Sequence, residues 1–135
     1  MKLLSNKKHM NQEELLRLPF CPIERTLRVL DSKWTALLLR DLLGGARRFG
    51  ELLRSLEGVS PKTLTGRLRT LEAQGVVRRT IYAEVPPRVE YALTTYGETL
   101  RPVLEAMALW GIRDAERDAE PARDLDRTRG DPREN

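Results

Sequence analysis

Cysteine and histidine are almost absent from this chain. Cys21 and His9 are the single examples in 135 residues, so no Cys/His metal cluster can be assembled within one chain and no intrachain disulfide can form. Glycine-rich phosphate loops are lacking as well, because Gly44-Gly45 reads as a helix stop. The acidic residues are scattered over helix surfaces and not paired in an apolar setting. No catalytic residue, metal site or cofactor is therefore expected, and the chain reads as something other than an enzyme. Long apolar runs are missing too: nothing approaches the roughly 18 residues a membrane span requires. Met1-Lys2-Leu3-Leu4-Ser5-Asn6 has neither a long apolar core nor a cleavage-site pattern, so it does not read as a secretion signal. A cytoplasmic protein without membrane contact is expected.

Charge, by contrast, is abundant. The chain carries 24 basic and 20 acidic residues, a net of +4, with 40% hydrophobic content suited to one globular domain. The charge is unevenly spread. Residues 113–135 hold six arginines and eight acids, which leaves 18 basic against 12 acidic residues, a net of +6, on residues 1–112. A basic small domain favours polyanions, although charge alone does not separate nucleic acid from an anionic membrane surface.

The most informative stretch runs from Phe49 to Leu93. Phe49, Leu52, Leu53 and Leu56 follow the i, i+3, i+4, i+7 rule and predict a helix over 49–56 with one buried face. Gly58 supplies a turn. Ser60 offers an N-cap oxygen and Pro61 fits the first helical position, so a second helix runs from Pro61 to about Gln74. Two helices so closely spaced must cross steeply, as in a helix-turn-helix. In the second helix Leu64, Leu68 and Leu71 face inward. Lys62, Gly66, Arg69, Thr70 and Ala73 face outward, with Thr65 and Arg67 on the flanks. Small residues let a helix sit deep in the DNA major groove, where Arg and Lys reach base edges or phosphates. A solvated basic face would look the same in isolation. The following residues decide between the two. Val76–Ala83 and Arg88–Leu93 have strand composition, and Glu84-Val85-Pro86-Pro87 marks a stiff tip between them. Arg78, Arg79 and Arg88 place positive charge along this ribbon. A basic helix followed by a basic hairpin is a winged helix, whose wing contacts DNA backbone or minor groove.

The segments Cys21-Pro22-Ile23-Glu24, Lys33-Trp34, Arg47-Arg48-Phe49, Ser60-Pro61-Lys62-Thr63-Leu64-Thr65, Arg67-Leu68, Leu71-Glu72, Gly75, Glu84-Val85-Pro86-Pro87-Arg88-Val89-Glu90-Tyr91 and Leu93-Thr94 resemble the HxlR family of bacterial transcription regulators, relatives of the MarR winged-helix proteins. The match covers roughly residues 21–112. The resemblance implies a homodimeric, sequence-specific DNA-binding regulator, with repression the expected sign and activation the alternative. The expected fold is α+β and mostly α: a winged helix-turn-helix domain with a two-stranded wing and flanking dimerisation helices. Duplex DNA carrying a pseudo-palindromic operator is the expected partner. Ser60, Lys62, Thr63, Thr65, Gly66, Arg67, Arg69, Thr70, Arg78, Arg79 and Arg88 are the candidate DNA contacts. A winged helix used only for protein–protein contacts would keep the fold but would not need a basic outward face.

Around that centre, residues 1–20 read as an extension with a short helix that Asn11 caps and Pro19 stops. Pro22 opens a helix carrying Ile23, Leu27 and Leu30. Asp31-Ser32 caps another, Lys33–Leu43, so broadly apolar that it reads as the central scaffold, with Trp34 in its core. Thr95 and Glu98 fit a capping box for a last helix to about Gly111, with Pro102 in its first turns or at a slight kink. Leu100, Val103, Leu104, Met107 and Trp110 form an apolar stripe on that helix. With Ile23 and Leu27 they make the expected dimer seam; burial against the helices of the same chain is the alternative. From Arg113 onward the composition predicts a charged, disordered tail, into whose start the preceding helix can fray through alternating charges.

Cys21 reads in two ways. A thiol at the start of a helix, with Arg25 one turn along, sits where the reactive anion is favoured, and resembling members of the HxlR family use this cysteine to sense electrophiles or oxidants. Free cysteine is also among the most buried residue types, so a small apolar role beside Phe20 at the dimer contact is the alternative.

Overall fold

A computed structural model describes residues 9–119 of the chain. The sequence expectations for residues 1–8 and 120–135 lie outside the described residues. Within them the elements follow in the order α1 (Gln12–Arg17), α2 (Pro22–Leu27), α3 (Lys33–Leu42), β1 (Arg47–Arg48), α4 (Phe49–Ser55), α5 (Pro61–Ala73), β2 (Val77–Tyr82), β3 (Arg88–Leu93), α6 (Thr95–Glu98) and α7 (Arg101–Ala119). The described residues divide into two compact units, one ending at Glu98 and the other beginning at Thr99.

The core of the first unit is almost entirely leucine and valine. Leu38, Leu39 and Leu42 of α3 are buried, as are Leu52 of α4, Leu56 just after it, and Leu64, Leu68 and Leu71 of α5. Val76, Val77 and Leu93 join them from the sheet side. Each such residue withdraws apolar surface worth about 1.5–3 kcal/mol before the entropy of ordering is subtracted. Thr35 is the buried polar residue among them, and its hydroxyl donates to Asp31 Oδ1 at 3.0 Å. Trp34 is half-buried, not fully in the core, and the Lys33 ammonium lies 4.9 Å from its ring centroid.

Local chemistry sets the ends of the helices. Asn11 Oδ1 accepts the Glu14 amide at 2.9 Å while Glu14 Oε2 accepts the Asn11 amide at 3.1 Å, a complete capping box on α1. Ser32 Oγ caps α3 through the Thr35 amide. The exit from α5 is a Schellman turn: the Val76 amide donates to Leu71 O at 2.9 Å and the Gly75 amide to Glu72 O at 3.0 Å, with Gly75 at φ +75°. A side chain at Gly75 would be strained in that conformation.

The sheet has three strands in the order β1-β3-β2, all antiparallel. The two-stranded wing β2/β3 is as expected, with Val77 opposite Leu93 and Tyr82 opposite Arg88. Its third strand is an addition: Arg47 pairs with Tyr91 and Arg48 with Glu90.

One expectation about the C-terminal region needs correction. A single helix from Thr95 does not form; α6 ends at Glu98, and α7 restarts at Arg101 with Pro102 as its second residue. Proline lacks the N–H that would bond four residues back, and its ring would strike that carbonyl, so an interior proline kinks or breaks a helix, whereas the first turn tolerates it. The helix also extends past Gly111 into the start of the charged segment, as its alternating charges allow, and α7 continues to Ala119. Ala115, Glu116, Arg117 and Ala119 favour helix, and no glycine or proline interrupts 112–119. No helix among the described residues is long and apolar enough to cross a membrane.

Candidate nucleic-acid interface

The interface is built on α5. Ser60 Oγ accepts the Thr63 amide at 3.1 Å and donates to Thr63 Oγ1 at 2.9 Å, so both side chains spend their polar groups on starting the helix. Leu64, Leu68 and Leu71 anchor the inner face, as the periodicity predicts. That rotation leaves Lys62, Gly66, Arg69 and Thr70 exposed on the outer face and Thr63, Thr65 and Arg67 half-buried beside it.

The basic side chains of the interface fall into two groups. Lys62, Arg69 and Arg78 are exposed and make no ion pair with the described residues. The other three are engaged. Arg67 Nη1 lies 3.1 Å from Asp31 Oδ2, and Arg79 Nε lies 3.9 Å from Glu72 Oε1. Arg88 is engaged the most: its guanidinium stacks 4.1 Å from the Tyr82 ring centroid and pairs with Glu84 at 3.2 Å and Glu90 at 3.6 Å. Its Nε is buried without a hydrogen-bond partner. Arg88 thus braces the wing. The Thr70 hydroxyl turns back onto Gly66 O at 3.0 Å. Gly66 itself is open: a Cβ there would meet nothing within 4 Å.

Two residues that matter to this surface were read from the sequence as a cap or not at all. Asp31 grips Arg67, and Gln74 Nε2 donates to Arg28 O at 3.1 Å. Gln74 follows Arg67 by seven residues and so lies on the same stripe of the helix, the one signal that could have drawn attention to it.

Elsewhere, Cys21 is the N-cap residue of α2, its thiol makes no capping hydrogen bond, and it is exposed. Phe20 beside it is partly exposed, with the Arg25 guanidinium 5.8 Å from its ring centroid. Of the expected seam, Ile23, Leu27, Met107 and Trp110 are exposed, Leu100 and Val103 are half-buried, and Leu104 is already buried at 8% exposure.

A helix-turn-helix pattern described as HxlR-like matches residues 29–119. The chain belongs to the HxlR-like helix-turn-helix family of transcriptional regulators. The HTH-type transcriptional regulator sll1512 of Synechocystis is 54% identical over 87 residues, a span of 64% of this chain and 64% of that protein, so the match stops just short of two thirds of that relative. Among solved structures, the redox regulator HypR in its oxidized form is 43% identical with a TM-score of 0.66, covering 69% of this chain and 96% of HypR. The reduced form of the regulator YodB from B. subtilis is 34% identical with a TM-score of 0.61, covering 67% of this chain and 90% of YodB. These neighbours are winged-helix regulators, in accord with α5 and the β2/β3 hairpin. The family pattern begins at residue 29, after Cys21 and α2.

Proposed function

We propose that this HxlR-type chain binds a pseudo-palindromic operator as a homodimer in the cytoplasm and represses transcription, with α5 in the major groove and the wing on the flanking backbone. The observation that carries the reading is the outer face of α5. It holds two cations that make no ion pair with the described residues, Lys62 and Arg69, on either side of an exposed glycine, while the exposed acid of the helix, Glu72, lies away from the centre of this face, 3.9 Å from Arg79. Unpaired cations supply phosphate and base contacts, and a missing side chain lets the backbone approach. The second copy follows from the exposed apolar side chains of α2 and α7, among them Ile23 and Trp110 at 61% and 69% exposure. Two copies would present their recognition helices about 34 Å apart, one turn of duplex.

The test is a pair of alanine variants against an operator selected from random duplexes and against random DNA. Lys62→Ala or Arg69→Ala should weaken operator binding by about 1–3 kcal/mol where the side chain reads a base, and weaken both DNAs alike where it touches phosphate. Unchanged affinity for both DNAs in both variants would refute the assignment of α5.

Thiol sensing is the finer part of the proposal. Cys21 is exposed at the start of α2, and HypR, a redox regulator, is 43% identical to this chain. Modification of Cys21 would then change operator affinity by moving α2.

A further inference from the structure

α5 carries three basic residues, and they are not treated alike. Lys62 and Arg69 are unpaired with the described residues, whereas Arg67 donates from Nη1 to a carboxylate 36 residues earlier in the chain, Asp31, at 3.1 Å. That carboxylate is itself fixed. Its second oxygen accepts the Thr35 hydroxyl at 3.0 Å, and Thr35 is a buried residue in the first turn of α3, with Ser32 Oγ 3.1 Å from the same hydroxyl. One oxygen of Asp31 is therefore tied to the core while the other is presented to α5. Seven residues past Arg67, Gln74 Nε2 donates to Arg28 O at 3.1 Å. Two contacts about 10 Å apart along one flank lay residues 28–31 beside the helix. The Arg67–Asp31 pair is thus set by the fold and not found by chance between two mobile chains.

We infer that Asp31 is a specificity-determining residue, which withholds Arg67 from indiscriminate phosphate contact and leaves it available to an operator. The inference rests on the proposal that α5 meets DNA. The side chains of the pair are 36% and 39% exposed, so the attraction is screened and can be shared or given up at small cost. A guanidinium has five N–H donors, of which this pair occupies one. An operator that offers a base acceptor can use the remaining donors without breaking the pair. Binding to random duplex is carried by phosphate contacts, and a phosphate near Arg67 is competed with and repelled by the fixed Asp31 carboxylate. Asp31 therefore lowers affinity for random DNA more than affinity for the operator.

Asp31→Asn tests this, since the amide keeps an oxygen for the Thr35 hydroxyl while removing the charge; Asp31→Ser serves the same end should the amide variant fold poorly. Binding to random duplex and to the selected operator is measured across a salt series. The neutral variant should bind random duplex several-fold more tightly, with a log–log salt slope steeper by about 0.9, the signature of one added phosphate contact. The operator-to-random ratio should fall accordingly, and Asp31→Glu should restore it. In an Arg67→Ala background the same substitution should leave the slope where Arg67→Ala alone puts it. A folded Asp31→Asn protein with the wild-type slope overturns the inference. So does a gain that persists without Arg67, because the effect is then the loss of one negative charge near DNA. Loss of the bond from the Thr35 hydroxyl alone would lower the melting temperature without moving the slope, and so overturns the inference as well. A wild-type chain that fails to bind duplex DNA in a salt-dependent way removes the DNA reading itself, a result distinct from a failure of Asp31.

Discussion

Gly66 and Gly97 are the same residue under opposite constraints. At Gly66 an added methyl meets nothing within 4 Å, so the fold gains nothing from the glycine. Glycine inside a helix costs about 0.5–1 kcal/mol relative to alanine, a cost the bare protein could avoid. Gly66→Ala should therefore raise stability by about that amount and move the melting temperature up by a few degrees. The same variant should lose DNA affinity several-fold, because the methyl occupies the face proposed to enter the groove. Thermal melts and duplex titration of one preparation check both halves, and a stabilised protein with intact binding would place Gly66 outside the interface. At Gly97 a Cβ would drive into the Val76 carbonyl. The Gly97 amide donates to Thr94 Oγ1 at 2.9 Å while the Thr94 amide donates to Val76 O at 3.0 Å, so this corner cannot open without losing bonds. Gly97→Ala should cost about 1–3 kcal/mol in denaturant unfolding. Helical periodicity made the position of Gly66 legible in the sequence. Gly97 was not legible, because its obstacle is a carbonyl 21 residues upstream.

The same division between local and long-range causes holds for whole elements. α5 could be read residue by residue: a serine cap, a proline at the first position, three leucines on one face and a glycine at the exit are all local signals. β1 could not. Two residues form a strand only because β3, more than 40 positions later, lies beside them. The α6/α7 break fell between these cases: Thr95 and Glu98 promised a helix, and Pro102 decided where it had to stop and restart. On the wing, sign of charge alone was a poor guide. Arg78 and Arg88 look equivalent in sequence, yet only the Tyr82–Arg88 register places a guanidinium on an aromatic face between two carboxylates. Arg88→Ala should consequently lower stability by about 1 kcal/mol through the lost stack and pairs. Arg78→Ala should leave the melting temperature unchanged and weaken DNA binding with a shallower salt slope. Melting curves alongside salt titrations separate the two, and equal melting temperatures for both variants would remove the bracing role of Arg88.

At the scale of the whole molecule, assembly and signal are expected to meet. Leu104 is buried in the single chain, so Leu104→Glu would report on folding. Met107→Glu, at an exposed position of α7, is the cleaner probe of the proposed seam: sedimentation at micromolar concentration should show monomers with most operator affinity lost. A wild type that already sediments as a monomer would rule the seam out. Cys21 is exposed and is the sole cysteine, so oxidation by diamide can join it only to a thiol outside its own chain, either Cys21 of a second copy or a small thiol. In either case a new sulfur–sulfur bond forms as the two thiols give up their protons and two electrons to the diamide. The product stands at the first turn of α2, whose exposed Ile23 and Leu27 belong to the same proposed seam. In the proposed dimer a shift there would alter the distance between two recognition helices that have to reach both half-sites at once. Cys21→Ser should bind the operator as the wild type does and keep its grip when diamide or a quinone is added, while the wild type lets go. Mass spectrometry of the treated wild type should find the modification on folded protein. Two outcomes would sink the sensor: a Cys21 that reacts only after unfolding, or a serine variant that still releases DNA under oxidant.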